Sequence, residues 1–177
     1  MRLERRSLIC MPPSEKSSSK YLPCLLTRLT DEHPFSAQDD AYGASFSLEQ
    51  LKGDILRNLS MLLNSHTAPA TTQRLMQQFP QVATSCYHFG IDSYAGVTGK
   101  AEQPRIIAEA VRRAIINFEP RLDPASILVQ ADTRRSSQDR TALHLTISSR
   151  LAVHPLSEDM YFRLRVDVET GEATLHP

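Results

Sequence analysis

Tryptophan is absent from this 177-residue chain, aromatic residues make up only 6% of it, and no apolar run approaches the ~20 residues of a membrane-spanning helix. With so few aromatic rings there is no evident sugar-stacking cleft. An excess of either charge is also missing: 20 Lys and Arg balance 20 Asp and Glu, which gives no case for general attraction to nucleic acid or an anionic membrane. The three cysteines, Cys10, Cys24 and Cys86, are odd in number, far apart and without a C-x-x-C pair, as expected of reduced cytosolic thiols. Histidines are scattered without H-x-x-x-H spacing, so neither a metal site nor a cofactor is expected. Catalytic signatures are lacking too. Gly96 to Ala101 does not follow the phosphate-loop pattern, and no G-x-S-x-G occurs. Arg2, Arg5 and Arg6 imitate the start of a secretion signal, but the apolar piece behind them, Leu8 to Met11, is too short, which predicts a cytoplasmic protein.

What remains is ordinary globular composition, 41% hydrophobic and 23% charged, with enough length for one domain and a real core. Residues 1–20 combine arginines with Pro12, Pro13 and Ser17 to Ser19 and read as a flexible tail, leaving 21–177 as the domain. In Tyr21 to Leu29, Leu22, Leu25, Leu26 and Leu29 recur at helical spacing with Pro23 in the first turn, predicting a short docking helix. Asp31 to Ala44 reads as a loop. Ser47 followed by Gln50 forms a capping box, and Leu48, Leu51, Ile55, Leu59 and Leu62 supply the buried stripe of a helix that ends near Asn64. Ser65 to Thr72 has little to pack. A shorter helix is expected over Val82 to Phe89, with Gly90 as its left-handed cap and with Tyr87 and Phe89 as its core or staple residues, followed by a linker from Ser93 to Gln103.

The strongest helical signal is Pro104 to Phe118. Ile106, Ile107, Ala110, Val111, Ala114, Ile115 and Phe118 form one stripe, while Glu109 can pair with Arg112 or Arg113. Pro120 and Pro124 push Glu119 and Asp123 away from helical geometry, so the helix stops near Phe118 and gives way to a stiff Glu119-Pro120-Arg121 corner. Beyond it the apolar period changes from helical to two. Ile127, Val129 and Ala131, then Leu143, Leu145, Ile147, Leu151 and Val153, then Met160, Phe162, Leu164, Val166 and Val168 alternate with polar residues. Arg134 to Arg140 reads as a hairpin loop, and Thr170-Gly171 turns the chain into a last strand over Ala173 to Leu175. Arg163 and Arg165 fit a solvated strand face, and His144 and His154 fit surface positions. The fold class predicted is α+β, with helices packed on one face of a small, mainly antiparallel sheet of three or four strands.

Several stretches together carry a resemblance. These are Leu25-Leu26-Thr27-Arg28-Leu29, the helix ending Asn58 to Asn64, the segment from Phe79-Pro80 to Gly90-Ile91-Asp92, and Asn117 to Leu122 with its Glu119-Pro120-Arg121 core. They make residues 21–177 similar to the TssE-type wedge proteins of the bacterial type VI secretion baseplate, in the phage-baseplate lysozyme-like family. Phe89 and Ile91 replace that family's usual Tyr and Leu. The resemblance implies a non-enzymatic subunit at the membrane-docked baseplate, assembled with TssF and TssG, in the neighbourhood of TssK and of the sheath proteins TssB and TssC. It implies that Glu119, Pro120 and Arg121 bind partners. The lysozyme label of the family raises an alternative, a peptidoglycan hydrolase with Glu119 as acid and Asp123 as its carboxylate partner. Arg121 beside Glu119 opposes the protonated state a general acid needs. A third reading is a regulatory adaptor on the same fold.

Overall fold

The computed structural model describes residues 21–30, 35, 46–67, 69–91, 103–132, 136, 141–153 and 157–176. The expected tail at 1–20, most of the loop at 31–44, nearly all of the linker at 93–103, the hairpin loop at 134–140 apart from Ser136, and His154 lie outside them. The chain forms two compact units, residues 1–51 and 52–177.

In the first unit, Tyr21 pairs with Phe46 through two backbone hydrogen bonds, Tyr21 N to Phe46 O at 2.9 Å and Phe46 N to Tyr21 O at 2.6 Å. Helix α1 (Leu25–Leu29) follows, with Cys24 Sγ accepting from Thr27 N at its start and Pro23 ahead of that cap rather than inside the first turn. None of the α1 residues is buried, and Leu22, Leu25, Leu26 and Leu29 are exposed. Helix α2 (Leu48–Asn64) opens at the end of this unit. Its capping box is formed: Ser47 N donates to Gln50 Oε1 at 2.8 Å, and Gln50 N to Ser47 Oγ at 3.3 Å.

The second unit contains the rest of α2, where Ile55, Leu59, Leu62 and Leu63 are buried. Two features of the next segment differ from the sequence expectation. Residues 69–78 form a helix, α3 (Pro69–Gln78), where no packing helix was expected; proline at its first position starts it without an apolar stripe to announce it. The helix expected over Val82 to Phe89 is instead two 3-10 turns, Pro80–Thr84 and Cys86–His88. Ser85 is extended between them, with φ −87° and ψ 162°, and interrupts any longer helix. Gly90 does take a positive φ, 118°, and a Cβ there would press into the Ser65 carbonyl. That close approach lets Ile91 N donate to Ser65 O at 2.9 Å and Thr67 N to Ile91 O at 3.2 Å, joining the two strand-like pieces in parallel. Phe89 packs edge-on against Phe118, with ring centroids 5.3 Å apart, whereas Tyr87 is exposed rather than in the core.

Helix α4 (Gln103–Phe118) buries Ile107, Ala108, Val111, Ala114 and Ile115 and packs along β1. Ile106 leaves the expected stripe and is 63% exposed. At about 100° per residue it lies more than a right angle around the helix from Val111. The helix stops at Phe118, as the proline at 120 requires. Strands β1 (Leu128–Ala131), β2 (Ala142–Arg150), β3 (Asp159–Asp167) and β4 (Ala173–His176) then form one antiparallel sheet in the order β1-β2-β3-β4. Its register sets Leu145 opposite Leu164 and Ile147 opposite Phe162, so the period-two residues share one buried face. Each such side chain removed from water contributes about 1.5–3 kcal/mol. Thr146, Arg163 and His176 stand side by side on the other, exposed face. The α+β class and the four-stranded antiparallel form of the sheet agree with the sequence expectation.

Both sheet edges carry a plug. In β4 the backbone of Ala173 points away from β3, and the Asn64 carboxamide takes both of its groups: Ala173 N donates to Asn64 Oδ1 and Asn64 Nδ2 donates to Ala173 O, each at 2.9 Å. At the β1 edge Arg112 Nε donates to Ile127 O at 3.1 Å. Outward groups of Val129 and Ala131 in β1, and of Leu175 in β4, have no partner among the described residues.

Candidate functional site

Because Pro120 ends α4 abruptly, the corner that follows runs back alongside β2. Asp123 N donates to Arg150 O and Ala152 N to Arg121 O, both at 2.8 Å, and Leu122 is fully buried between these two bonds. Glu119 and Arg121 face each other across the proline. Arg121 Nε donates to Glu119 Oε1 and Nη2 to Oε2, each at 2.7 Å, in the two-pronged geometry that a planar guanidinium and a carboxylate share. The Arg121 backbone N–H adds a longer bond, 3.3 Å, to Oε1.

The third Arg121 nitrogen reaches α2. Nη1 donates to Asp54 Oδ2 at 2.7 Å, and the other oxygen, Oδ1, accepts from Arg57 Nη2 at 3.3 Å. Four charges therefore form a chain, Glu119, Arg121, Asp54 and Arg57, with no net charge. Its acidic members are the buried ones, Glu119 being 3% exposed and Asp54 0%. A carboxylate withdrawn from water in this way requires a cation held close by. Burial alone would lower the Arg121 guanidinium, but its hydrogen bond and attraction to Glu119, and then those to Asp54, outweigh that and raise it above its ordinary value, keeping it cationic.

The sequence places Glu119, Pro120 and Arg121 together in one corner, and the resemblance implies that all of them meet partners. The structure turns the Glu119 side chain inward, with both oxygens accepting from Arg121 of the same chain, and leaves Pro120 exposed and Arg121 partly so. Asp123, weighed as a second catalytic carboxylate, is engaged elsewhere: its Oδ1 accepts from Ala125 N at 3.1 Å and shapes the turn into β1. Asp54 and Arg57 were missed. The available signal was a carboxylate within the apolar pattern Leu51, Asp54, Ile55, which cannot be left unpaired on a buried helix face. Among the described residues no cluster of His, Cys, Asp and Glu could hold a metal ion, and no helix is long and apolar enough to cross a membrane.

No curated protein matches the chain in sequence. A crystal structure of a candidate tail lysozyme from Geobacter sulfurreducens is similar at 19% identity and a TM-score of 0.44, over 70% of this chain and 96% of the other. Residues 49–156 match the model of the family described as baseplate wedge protein gp25, a span that holds Asp54, Arg57 and the whole corner. Since the match covers more than half of its length, the chain belongs to the baseplate wedge protein gp25 family.

Proposed function

We propose that this chain is a non-enzymatic wedge subunit of a type VI secretion baseplate, acting on the cytoplasmic side of the membrane, where it joins TssF and TssG and helps start the contractile sheath. The observation that carries the proposal is the corner, within the family match, held rigid by α4, α2 and β2 at once. A contact surface fixed before binding loses little conformational freedom when a partner arrives. Pro120 and the open side of Arg121 are the parts of the corner that meet the partner, while Glu119 acts through Arg121 by fixing its plane. The hydrolase reading lacks support from the geometry, since Glu119 is buried and both of its oxygens are taken by a guanidinium.

TssB and TssC of the sheath, and TssK of the baseplate, are the further partners in this reading. For a partner that adds a strand, β1 is the better edge. It offers the outward groups of two residues, Val129 and Ala131, whereas β4 offers those of Leu175 beyond the Asn64 plug.

Co-purification of the full chain with TssF and TssG is the test, run beside a peptidoglycan-release assay. Retention of both partners without release is expected. No retention refutes the wedge assignment, and release that Glu119→Gln abolishes would establish the hydrolase in its place. Val129→Pro removes an outward N–H from β1 without touching the β1–β2 ladder, so it should block sheath initiation while leaving wedge assembly intact.

A further inference from the structure

The charge chain at the corner is neutral in sum but not in its presentation to solvent. Its carboxylate side chains are 0% exposed at Asp54 and 4% at Glu119, whereas its arginines are 57% exposed at Arg57 and 19% at Arg121. An approaching molecule therefore meets two guanidinium groups and no carboxylate of the chain.

Both cations are anchored on the same residue, one on each Asp54 oxygen. A guanidinium has five N–H donors. Arg121 directs its Nε and one donor on each terminal nitrogen into the protein, which leaves one on Nη1 and one on Nη2. Arg57 has a single bond, to Asp54, among the described residues. Among the described residues, Glu158 pairs with Lys52 at 2.7 Å and Asp123 caps Ala125, and neither bonds to Arg57 or Arg121.

We infer that Arg57 and Arg121 together form a two-arginine socket for an acidic side chain, Asp or Glu, of the partner subunit. The inference rests on the wedge reading above and names the chemistry of its contact. Carboxylate is the complementary group because guanidinium forks match it in plane and spacing, and because Asp54 already holds both forks in place. Two guanidinium groups on one anchoring carboxylate suit a single acidic side chain rather than a polyanion. Arg57 then has a role that fold stability does not demand, since it is the exposed end of the chain of charges.

The experiment measures binding of the full chain to purified TssF–TssG complex at several salt concentrations, for wild type, Arg57→Gln and Arg57→Lys. Arg57→Gln keeps a polar, uncharged donor on a shorter side chain and loses the charge. It is expected to weaken binding about 10- to 100-fold, the worth of one charged hydrogen bond, and to flatten the salt dependence, with the thermal melt unchanged. Arg57→Lys should retain part of the affinity. Wild-type affinity and salt dependence in Arg57→Gln would overturn the socket while leaving the wedge reading in place. Failure of wild type to bind the complex would overturn both.

Discussion

Replacing Arg121 by methionine keeps most of the side-chain volume while removing the cation that serves two buried carboxylates. Glu119 would lose both of its side-chain donors, and Asp54 would lose its 2.7 Å bond while keeping the longer one from Arg57 at 3.3 Å. Breaking one side of a buried ion pair costs about 3–5 kcal/mol, because the remaining charge stays buried without compensation. Arg121 is itself partly reached by water and Arg57 remains in place, so the lower end applies, about 3 kcal/mol. Against the ~5–15 kcal/mol that holds a domain folded, this is a large share. In urea, with a slope of about 2 kcal/mol per molar, the unfolding midpoint should fall by about 1.5 M with little change in slope. Arg57→Ala is the internal comparison: as the exposed end of the chain it should cost at most about 1 kcal/mol. If Arg121→Met and Arg57→Ala cost the same, and both remain below 1 kcal/mol, the corner is a surface ion pair and the account of a buried charge chain is wrong.

Three further outcomes are expected. Gly90→Ala should destabilise by about 1–3 kcal/mol, since alanine there combines a positive φ with a clash on the Ser65 carbonyl; a melt within a degree of wild type would contradict this. Asn64→Ala should cost about 1–3 kcal/mol and raise amide exchange at Ala173 selectively, because the substitution strips partners from a buried edge residue; unchanged protection would show that the plug is idle. Asp167 accepts from Thr170 N and Glu169 N in the β3–β4 turn, and these bonds hold its carboxyl below the ordinary 3.8. A depressed folded value means that its contribution is complete above 3.8 and disappears as pH falls through the lowered value, so the melting difference between wild type and Asp167→Ala should close on acidification below pH 3.8. A difference that stays constant down to the lowest pH would refute the assignment.

Local interactions were legible in the sequence and distant ones were not. Ser47 and Gln50 are three residues apart, and the capping box read from that spacing is present. Period-two alternation identified the strands because one face of the sheet is buried and the other solvated. The stop of α4 at Phe118 followed from Pro120 alone. Helix α3 escaped because PATTQRLMQQ has no strong apolar stripe, leaving Pro69 as its only start signal. Val82 to Phe89 looked like one helix because Gly90 suits a cap, but composition does not reveal that Ser85 is extended. At the corner, a pair between Glu119 and Arg121 could be anticipated from their separation of two. Its orientation could not, since it is set by Asp54, 67 residues before Arg121.

The corner also has a place in time. It is completed only when α2 has brought Asp54, the end of α4 has brought Glu119, and the end of β2 with the residues just after it has supplied Arg150 and Ala152. Contacts between segments so far apart in sequence form after the intervening chain has closed its loops, so an incomplete chain cannot display this surface in its final shape. A partner that docks there senses the completion of folding as well as identity. Under the proposed wedge role, assembly is thereby restricted to subunits whose helices and sheet are already joined.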